Sequence, residues 1–230
     1  MSNSVNNVDG KPQIGVSACL ARQPVRFDGC FIANPFVNNE CSEFFDLHTI
    51  CPEVEMGLGI PRPVIQLRDF EGEVRLVFSK DPEKDITNEM REYSERKLDA
   101  LPPLDGYIFK KDSPSCGVFN VAVKDNKTGM RKRNGIGIFA QAFKDRFPEV
   151  PTEDEGRLND KGIRENFLER VYAHYRWRQI DSAANPLQAF RDFHKNYKLI
   201  LMAKDNTAYR QLGRIAASVN KNNFVKIRQE

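Results

Sequence analysis

Short apolar runs alternate with helical patterns over residues 13–150 of this chain. The strand-like runs are QIGVSACL, DLHTICPEV, VIQLRDF, EVRLVF, GYIFKK and VFNVAV, and the segment DITNEMREYSERKLDAL has helical periodicity. The glycines of NGIGIFAQAFKDRF predict a turn followed by a helix that ends before Pro148. This alternation is typical of an α/β layer. We therefore predict an α/β domain over residues 13–147, built on a mostly parallel sheet with flanking helices.

The pattern changes after the segment PEVPTEDEG, residues 148–156, whose prolines and acidic residues predict a linker. From residue 160 onward the apolar positions keep helical spacing. One stripe contains Ile163, Phe167 and Val171, and a second contains Leu187, Phe190, Phe193, Tyr197 and Ile200. We therefore predict a small all-helical C-terminal domain over residues 157–230.

The chain contains no apolar run near the roughly 20 residues that a membrane-spanning helix needs. Its first residues, MSNSVNNVDGKPQ, are polar where a signal peptide is apolar. We therefore predict a cytoplasmic protein with no membrane partner, and a disordered tail over residues 1–12.

Charge is distributed unevenly along the chain. The net charge is only +3, but residues 157–230 contain 15 Lys or Arg and 7 Asp or Glu, a net charge of +8. This asymmetry favours an anionic partner for the C-terminal domain. A solvated helical surface has the same composition, so charge alone leaves both interpretations open.

Three of the five cysteines share one local context. Cys19, Cys51 and Cys116 each lie where an apolar strand runs into a turn, whereas Cys30 and Cys41 lack this setting and are interpreted as free or packed thiols. Parallel strands bring their carboxyl ends to one edge of a sheet, where ligands bind. We therefore expect the three thiols to converge, although they are far apart in the sequence.

Convergent thiols favour a soft metal. Disulfides are not expected in a cytoplasmic chain, and no C-x-x-C pair is present to form a common zinc ribbon. Three thiolates without a fourth match an iron–sulfur cluster with one open iron as well as they match zinc, so both metals remain open at this point.

Three sequence blocks resemble the signatures of the bacterial thiouracil and 4-thiouridine desulfidase family. They are VSACLARQPVRFDG (16–29), ICPEVEMGLGIPRP (50–63) and GYIFKKDSPSCGV (106–118). Residues 157–177 and 188–217 resemble the helical companion domain of its two-domain members, which act on 4-thiouridine in transfer RNA. That companion domain is longer in those members than the part that matches here.

The resemblance implies a 4Fe-4S cluster held by Cys19, Cys51 and Cys116, with the fourth iron open to the substrate sulfur. It also implies an acid/base carboxylate, which by motif position is Glu53, and a catalytic hydroxyl, which is Ser113.

Other residues of these blocks are candidates for binding substrate. Ser115 lies two residues after Ser113 in the same turn, and is the alternative hydroxyl. Arg26, Lys110 and Lys111 are placed to neutralise a phosphate or the charge of the cluster.

Two basic groups are candidates for contacting RNA. Arg131, Lys132 and Arg133 precede the turn NGIG. Arg191, Lys195 and Lys198 form one stripe at helical spacing in the C-terminal domain. Both groups suit phosphate contacts.

Together these features predict an iron–sulfur-dependent desulfidase that converts 4-thiouridine in transfer RNA to uridine by non-redox hydrolysis. One alternative is a desulfidase of free thiouracil. An alternative from another class is a non-catalytic RNA-binding module that contains zinc.

Overall fold

The computed structural model describes residues 10–229. Within this part of the chain, eight strands form two four-stranded sheets. The strands are β1 (Gln13–Ser17), β2 (Asp46–Ile50), β3 (Ile65–Phe70), β4 (Glu73–Phe78), β5 (Gly106–Phe109), β6 (Val121–Asp125), β7 (Arg131–Gly135) and β8 (Thr152–Asp154).

Helices connect the strands and form the C-terminal region. They are α1 (Ser42–Phe44), α2 (Pro52–Glu55), α3 (Thr87–Ala100), α4 (Ile138–Arg146), α5 (Lys161–Gln179), α6 (Pro186–Lys204), α7 (Asn206–Ser218) and α8 (Phe224–Gln229). Two 3-10 turns, Ala18–Leu20 and Arg157–Asn159, and a π-helix, Phe36–Cys41, complete the set in residues 10–229.

The first sheet has the strand order β2-β1-β5-β8, and every neighbouring pair in it is parallel. The second sheet has the order β4-β3-β6-β7 and is mixed, since only the β3–β6 pair is parallel. The predicted α/β class with a mostly parallel sheet and a helical C-terminal region is confirmed. The second sheet was not foreseen as a separate layer.

Stacked aromatic rings support the first sheet on one face. Tyr107 stacks on Phe109 with ring centroids 3.9 Å apart, and Phe143 of α4 lies edge-on to Tyr107 at 4.9 Å. All three side chains are fully buried. Burial of large aromatic side chains is among the strongest stabilising contributions a core can receive. This cluster fixes β5, from which the turn that carries Cys116 continues.

The segment predicted as a linker contains β8, which extends the parallel sheet beyond β5. Its sequence is acidic and therefore carries no strand-like apolar pattern. Glu153 and Asp154 are nevertheless buried, and they accept hydrogen bonds from the Arg157 side chain and the Arg157 amide. Paired carboxylates can occupy a buried strand, which is why the composition was misleading here.

The chain divides into two compact units, the first ending at Val171 and the second beginning at Tyr172. In the second unit, Ile180, Phe190 and Val219 form the centre of a small core that includes Trp177. Two of its helices have side-chain caps: the Asn185 side chain accepts a hydrogen bond from the amide of Gln188 at the start of α6, and Asp205 caps α7 in the same way. Residues 1–9 of the predicted disordered tail lie outside the described residues.

No helix within residues 10–229 combines the length and the apolar character needed to cross a bilayer.

The first sheet packs tightly on its aromatic core at Gly15 of β1. A Cβ atom at this position would lie 2.3 Å from the Tyr107 ring, whereas at Gly162 in the first turn of α5 the nearest atom would be 3.4 Å away. We expect Gly15→Ala to lower the free energy of unfolding by about 1–3 kcal/mol through overpacking. Gly162→Ala, the matched control, should change it by less than about 0.5 kcal/mol. Urea denaturation of both variants measures the free energies of unfolding. Equal changes in the two variants would show that the core around Gly15 relaxes to accommodate a methyl group.

Candidate active site

A cavity of about 400 Å³ opens where the carboxyl ends of β1, β2 and β5 meet. Its walls come from the residues that directly follow these strands, together with part of the loop after Leu20 and the start of β3. The volume is within the range of small-molecule sites. The position is the edge at which open α/β sheets bind their ligands.

The three predicted thiols lie in the wall of this one cavity. Cys19 lies in the 3-10 turn after β1, Cys51 precedes α2 immediately after β2, and Cys116 lies in the turn after β5. Cys30 and Cys41 do not line it: Cys30 is exposed, and Cys41 is buried in the π-helix. The topology therefore brings together the three cysteines that the sequence singled out.

The thiols of this cavity are poorly solvated. Burial raises the pKa of Cys19 to about 11, against a smaller opposing effect of Lys110. Burial also raises the pKa of Cys51 and holds the pKa of Cys116 well above its usual range. Burial therefore disfavours the thiolate form of all three cysteines.

Cys19, Cys51 and Cys116 line the same cavity. Thiolates are soft ligands, and three of them fit an iron–sulfur cluster as well as they fit zinc. Among residues 10–229, no group of three His, Cys, Asp or Glu side chains is already arranged to hold a single metal ion.

Glu53 lies in the first turn of α2 and lines the cavity beside the thiols. One carboxylate oxygen, Oε2, accepts from Nε of Arg62 at 2.7 Å. The other, Oε1, accepts from the Ser115 hydroxyl at 2.9 Å. The carboxylate is thus fixed at both oxygens while it faces the cavity.

Arg62 is a site residue that sequence analysis missed. Its side chain is only 4% exposed and pairs with Glu53. It lies in the quoted block ICPEVEMGLGIPRP, nine residues after Glu53, but no local pattern distinguishes an arginine that follows a proline in a turn. The available signal was that Arg62 is a charged residue in a block that also contains Cys51 and Glu53.

The two serines of the turn have different partners. Ser113 lines the cavity, and its Oγ accepts from the amides of Ser115 at 3.2 Å and Cys116 at 3.0 Å. Ser115 is fully buried behind the cavity wall, and its hydroxyl donates to Glu53. This placement differs from the direct substrate contact predicted for Ser115. The turn is held closely by Gly137, where a Cβ atom would lie 2.5 Å from the Ser115 carbonyl.

The cationic candidates lie at the cavity as the sequence suggested, since Arg26, Lys110 and Lys111 all line it. Lys110 forms an ion pair with Glu155, and the amide of Lys111 donates to the same carboxylate at 2.6 Å. Arg26 lies 3.5 Å from Asp28 and keeps about a third of its side chain exposed. Lys111 is exposed, whereas Arg26 and Lys110 are half-buried, so Lys111 is the most accessible of these charges for a ligand.

The candidate RNA contacts lie on two elements, β7 and α6. Arg131, Lys132 and Arg133 are exposed on β7, and Arg133 donates at 2.7 Å to Asp112, which lines the cavity. On α6, Lys195 and Lys198 are exposed, while Arg191 donates to the carbonyl of Val219. Arg191 thus supports the end of α7 as well as carrying charge.

The fold and the cavity define an α/β enzyme whose site lies at the carboxyl edge of a parallel sheet. Residues 14–155 match the 2-thiouracil desulfurase family. The chain belongs to this family. The predicted resemblance and the predicted desulfidase class of enzyme are thereby confirmed.

A solved structure supports the same relationship. The 4Fe-4S-dependent thiouracil desulfidase TudS is 27% identical, with a TM-score of 0.51, and the match covers 68% of this chain and 99% of that protein. A comparison with curated proteins found no match. The remaining part of this chain therefore has no counterpart in TudS.

Proposed function

We propose that this chain is an iron–sulfur-dependent desulfidase that removes sulfur from a thiolated pyrimidine by hydrolysis. The observation that carries the proposal is the placement of Cys19, Cys51 and Cys116 around one cavity that also contains Glu53. The similarity to a 4Fe-4S-dependent desulfidase supports it further.

Cys19, Cys51 and Cys116 would hold a 4Fe-4S cluster and leave one iron without a protein ligand. When bound, the cluster supplies a soft Lewis acid that prefers the sulfur of a thiocarbonyl to the oxygen of an ordinary pyrimidine. The similarity to a 4Fe-4S-dependent desulfidase favours this group over the structural zinc of a non-catalytic module.

Glu53 is the general base of the proposed reaction. Its carboxylate faces the cavity and takes one proton from a water molecule while the water oxygen adds to the carbon that bears sulfur. The carbon–sulfur bond then breaks as the remaining proton of the added water passes to sulfur, which leaves as hydrosulfide, and Glu53 returns its proton to solvent. One water is consumed, the thiocarbonyl becomes a carbonyl, and no electrons are transferred overall.

Ser113 donates a hydrogen bond to the substrate. Its oxygen already accepts hydrogen bonds from two backbone amides. The hydroxyl hydrogen is still available, and it can donate a hydrogen bond to a ligand in the cavity. Ser115 has the different task of orienting Glu53. The two hydroxyls of one turn thus serve the substrate and the base respectively.

We further propose 4-thiouridine in transfer RNA as the substrate. The net charge of +8 in residues 157–230 and the exposed basic strand β7, tied to the cavity wall through Arg133 and Asp112, support this choice. A base within RNA must leave its stack to enter a cavity of this size. Free thiouracil is the alternative, favoured by the name of the structural neighbour and by a family match that ends at residue 155.

The ligand assignment predicts the metal content of cysteine variants. Protein purified without oxygen should contain iron and inorganic sulfide, and Cys19→Ala, Cys51→Ala or Cys116→Ala should lose both, because each removes one of three ligands. Cys30→Ala and Cys41→Ala are the matched controls and should retain both. Iron and sulfide analysis measures this, and loss through either control would contradict the assignment.

The base assignment predicts that Glu53→Gln retains iron and sulfide but loses turnover. We expect kcat for hydrosulfide release to fall by about 10²- to 10⁴-fold, the usual contribution of a general base. Glu89→Gln, on the exposed first turn of α3, is the control and should behave as the native protein. Normal turnover by Glu53→Gln would exclude Glu53 as the base.

The RNA proposal predicts that transfer RNA binding weakens with salt. Replacing Arg131 and Lys132 together by Gln should lower the slope of log K against log salt by about 2, since two phosphate contacts are lost. Turnover of free thiouracil should be unchanged in that variant. Replacement of Arg91 and Arg96, exposed on α3, is the control. Native protein that turns over free thiouracil but does not bind transfer RNA would favour the alternative substrate.

A further inference from the structure

Arg62 contacts three different parts of the site. Its Nε donates to Glu53 at 2.7 Å, while its Nη1 donates to the carbonyl of Val25 at 2.9 Å and to that of Gly59 at 3.2 Å. The side chain is 4% exposed, so these contacts replace almost all of its hydration. A buried guanidinium is stable only when its donors are used in this way.

The backbone of Arg62 makes a fourth contact with the same loop. Its amide donates to the carbonyl of Phe27 at 2.9 Å. Side chain and backbone therefore hold Val25 and Phe27, on either side of Arg26. We call residues 25–27 the rim segment, because all three line the cavity.

The loop's own hydrogen bonds fix its shape rather than its position. The amide of Arg26 donates to the carbonyl of Cys30 at 3.2 Å, and the amide of Gly29 donates to the carbonyl of Arg26 at 2.9 Å. Both bonds lie within the loop, so they persist if the loop moves as a body. The contacts from Arg62 instead join it to the element that carries Glu53, and the Cys51 thiol adds one weaker contact of this kind, since it donates to the carbonyl of Val25 at 3.7 Å.

We propose that Arg62 is a positioning residue that couples the base to the rim segment, an inference that rests on the proposed function. One planar guanidinium directs the Glu53 carboxylate into the cavity and at the same time holds Arg26 and Phe27 at its mouth. A lysine can make the ion pair but cannot make the forked contacts that join the two. Catalysis and access to the cavity would therefore depend on the same side chain.

A double-mutant cycle tests whether Arg62 acts through Glu53. Arg62→Gln should lower kcat of the cluster-loaded enzyme by about 100-fold, as small misplacements of a catalytic group do. In a Glu53→Gln background the same change should lower kcat by less than about threefold, because the group it positions is already lost. Arg68→Gln, whose native side chain bonds Asn126 on the surface, is the control. Equal effects in both backgrounds would overturn the proposal.

Hydrogen exchange of the metal-free protein provides a readout that does not need activity. Arg62→Gln should raise exchange of the amide at position 62, which donates to the carbonyl of Phe27, by about tenfold, because the rim segment moves away more often once a charged donor is lost. Arg62→Lys should recover much of kcat while leaving this exchange raised, since it restores the ion pair alone. Unchanged exchange in Arg62→Gln would overturn the proposal.

Two further measurements distinguish a failure of this inference from a folding defect and from a failure of the proposed function. If Arg62→Gln does not fold, the double variant Glu53→Gln/Arg62→Gln, which leaves no unpaired buried charge, supplies the exchange measurement instead. Native enzyme without desulfidase activity would refute the proposed function and leave the exchange result to decide whether Arg62 holds the rim segment.

Discussion

The parallel alignment of β1, β2 and β5 determines where the reactive side chains of this protein lie. Because the three strands run in one direction, the chain leaves each of them at the same edge of the sheet. Cys19, Cys51 and Cys116 are thus neighbours around a cavity, although they are far apart in sequence. The aromatic core around Tyr107 and the absence of a side chain at Gly15 keep β1 and β5 in this register.

The cavity is lined by ionisable groups whose burial costs free energy. Burial disfavours the thiolate forms of its cysteines, as the raised pKa values of Cys19, Cys51 and Cys116 indicate. Glu53 and Arg62 compensate one another, but a well-packed apolar pair would often stabilise a fold at least as well. Such a concentration of poorly solvated thiols and paired charges in a cleft is characteristic of a functional site.

Sequence patterns predicted the parts of the site that depend on strand direction. The thiols could be located because each follows a strand-like run, whereas Glu53 was located by its motif position in the family resemblance. The partnership of Arg62 with Glu53 could not, because it depends on the path of the chain through residues 54–61, which carries no periodic pattern. Likewise Ser113 and Ser115 have nearly identical local contexts, and only their hydrogen-bond partners separate them.

The fold could be predicted from the sequence where hydrophobic periodicity is strong. It could not be predicted where the buried side chains are charged and are stabilised by hydrogen-bond partners. The strands around the thiols and the amphipathic helices after residue 160 have clear patterns. β8 does not, because its buried positions are acidic and rely on Arg157 for their hydrogen bonds. Composition therefore suggested a linker in a segment that completes the parallel sheet.

The size of the cavity limits how the two proposed substrates can differ. A volume of about 400 Å³ accommodates a nucleobase but not a folded nucleic acid. A thiolated base from transfer RNA would therefore enter the same space as free thiouracil, and Glu53 and Ser113 would meet the same ring in either case. If transfer RNA is the substrate, as proposed, phosphate contacts outside the cavity would select it, and β7 presents basic side chains there beside Asp112. The chemistry and the choice of substrate would then depend on different surfaces of the protein.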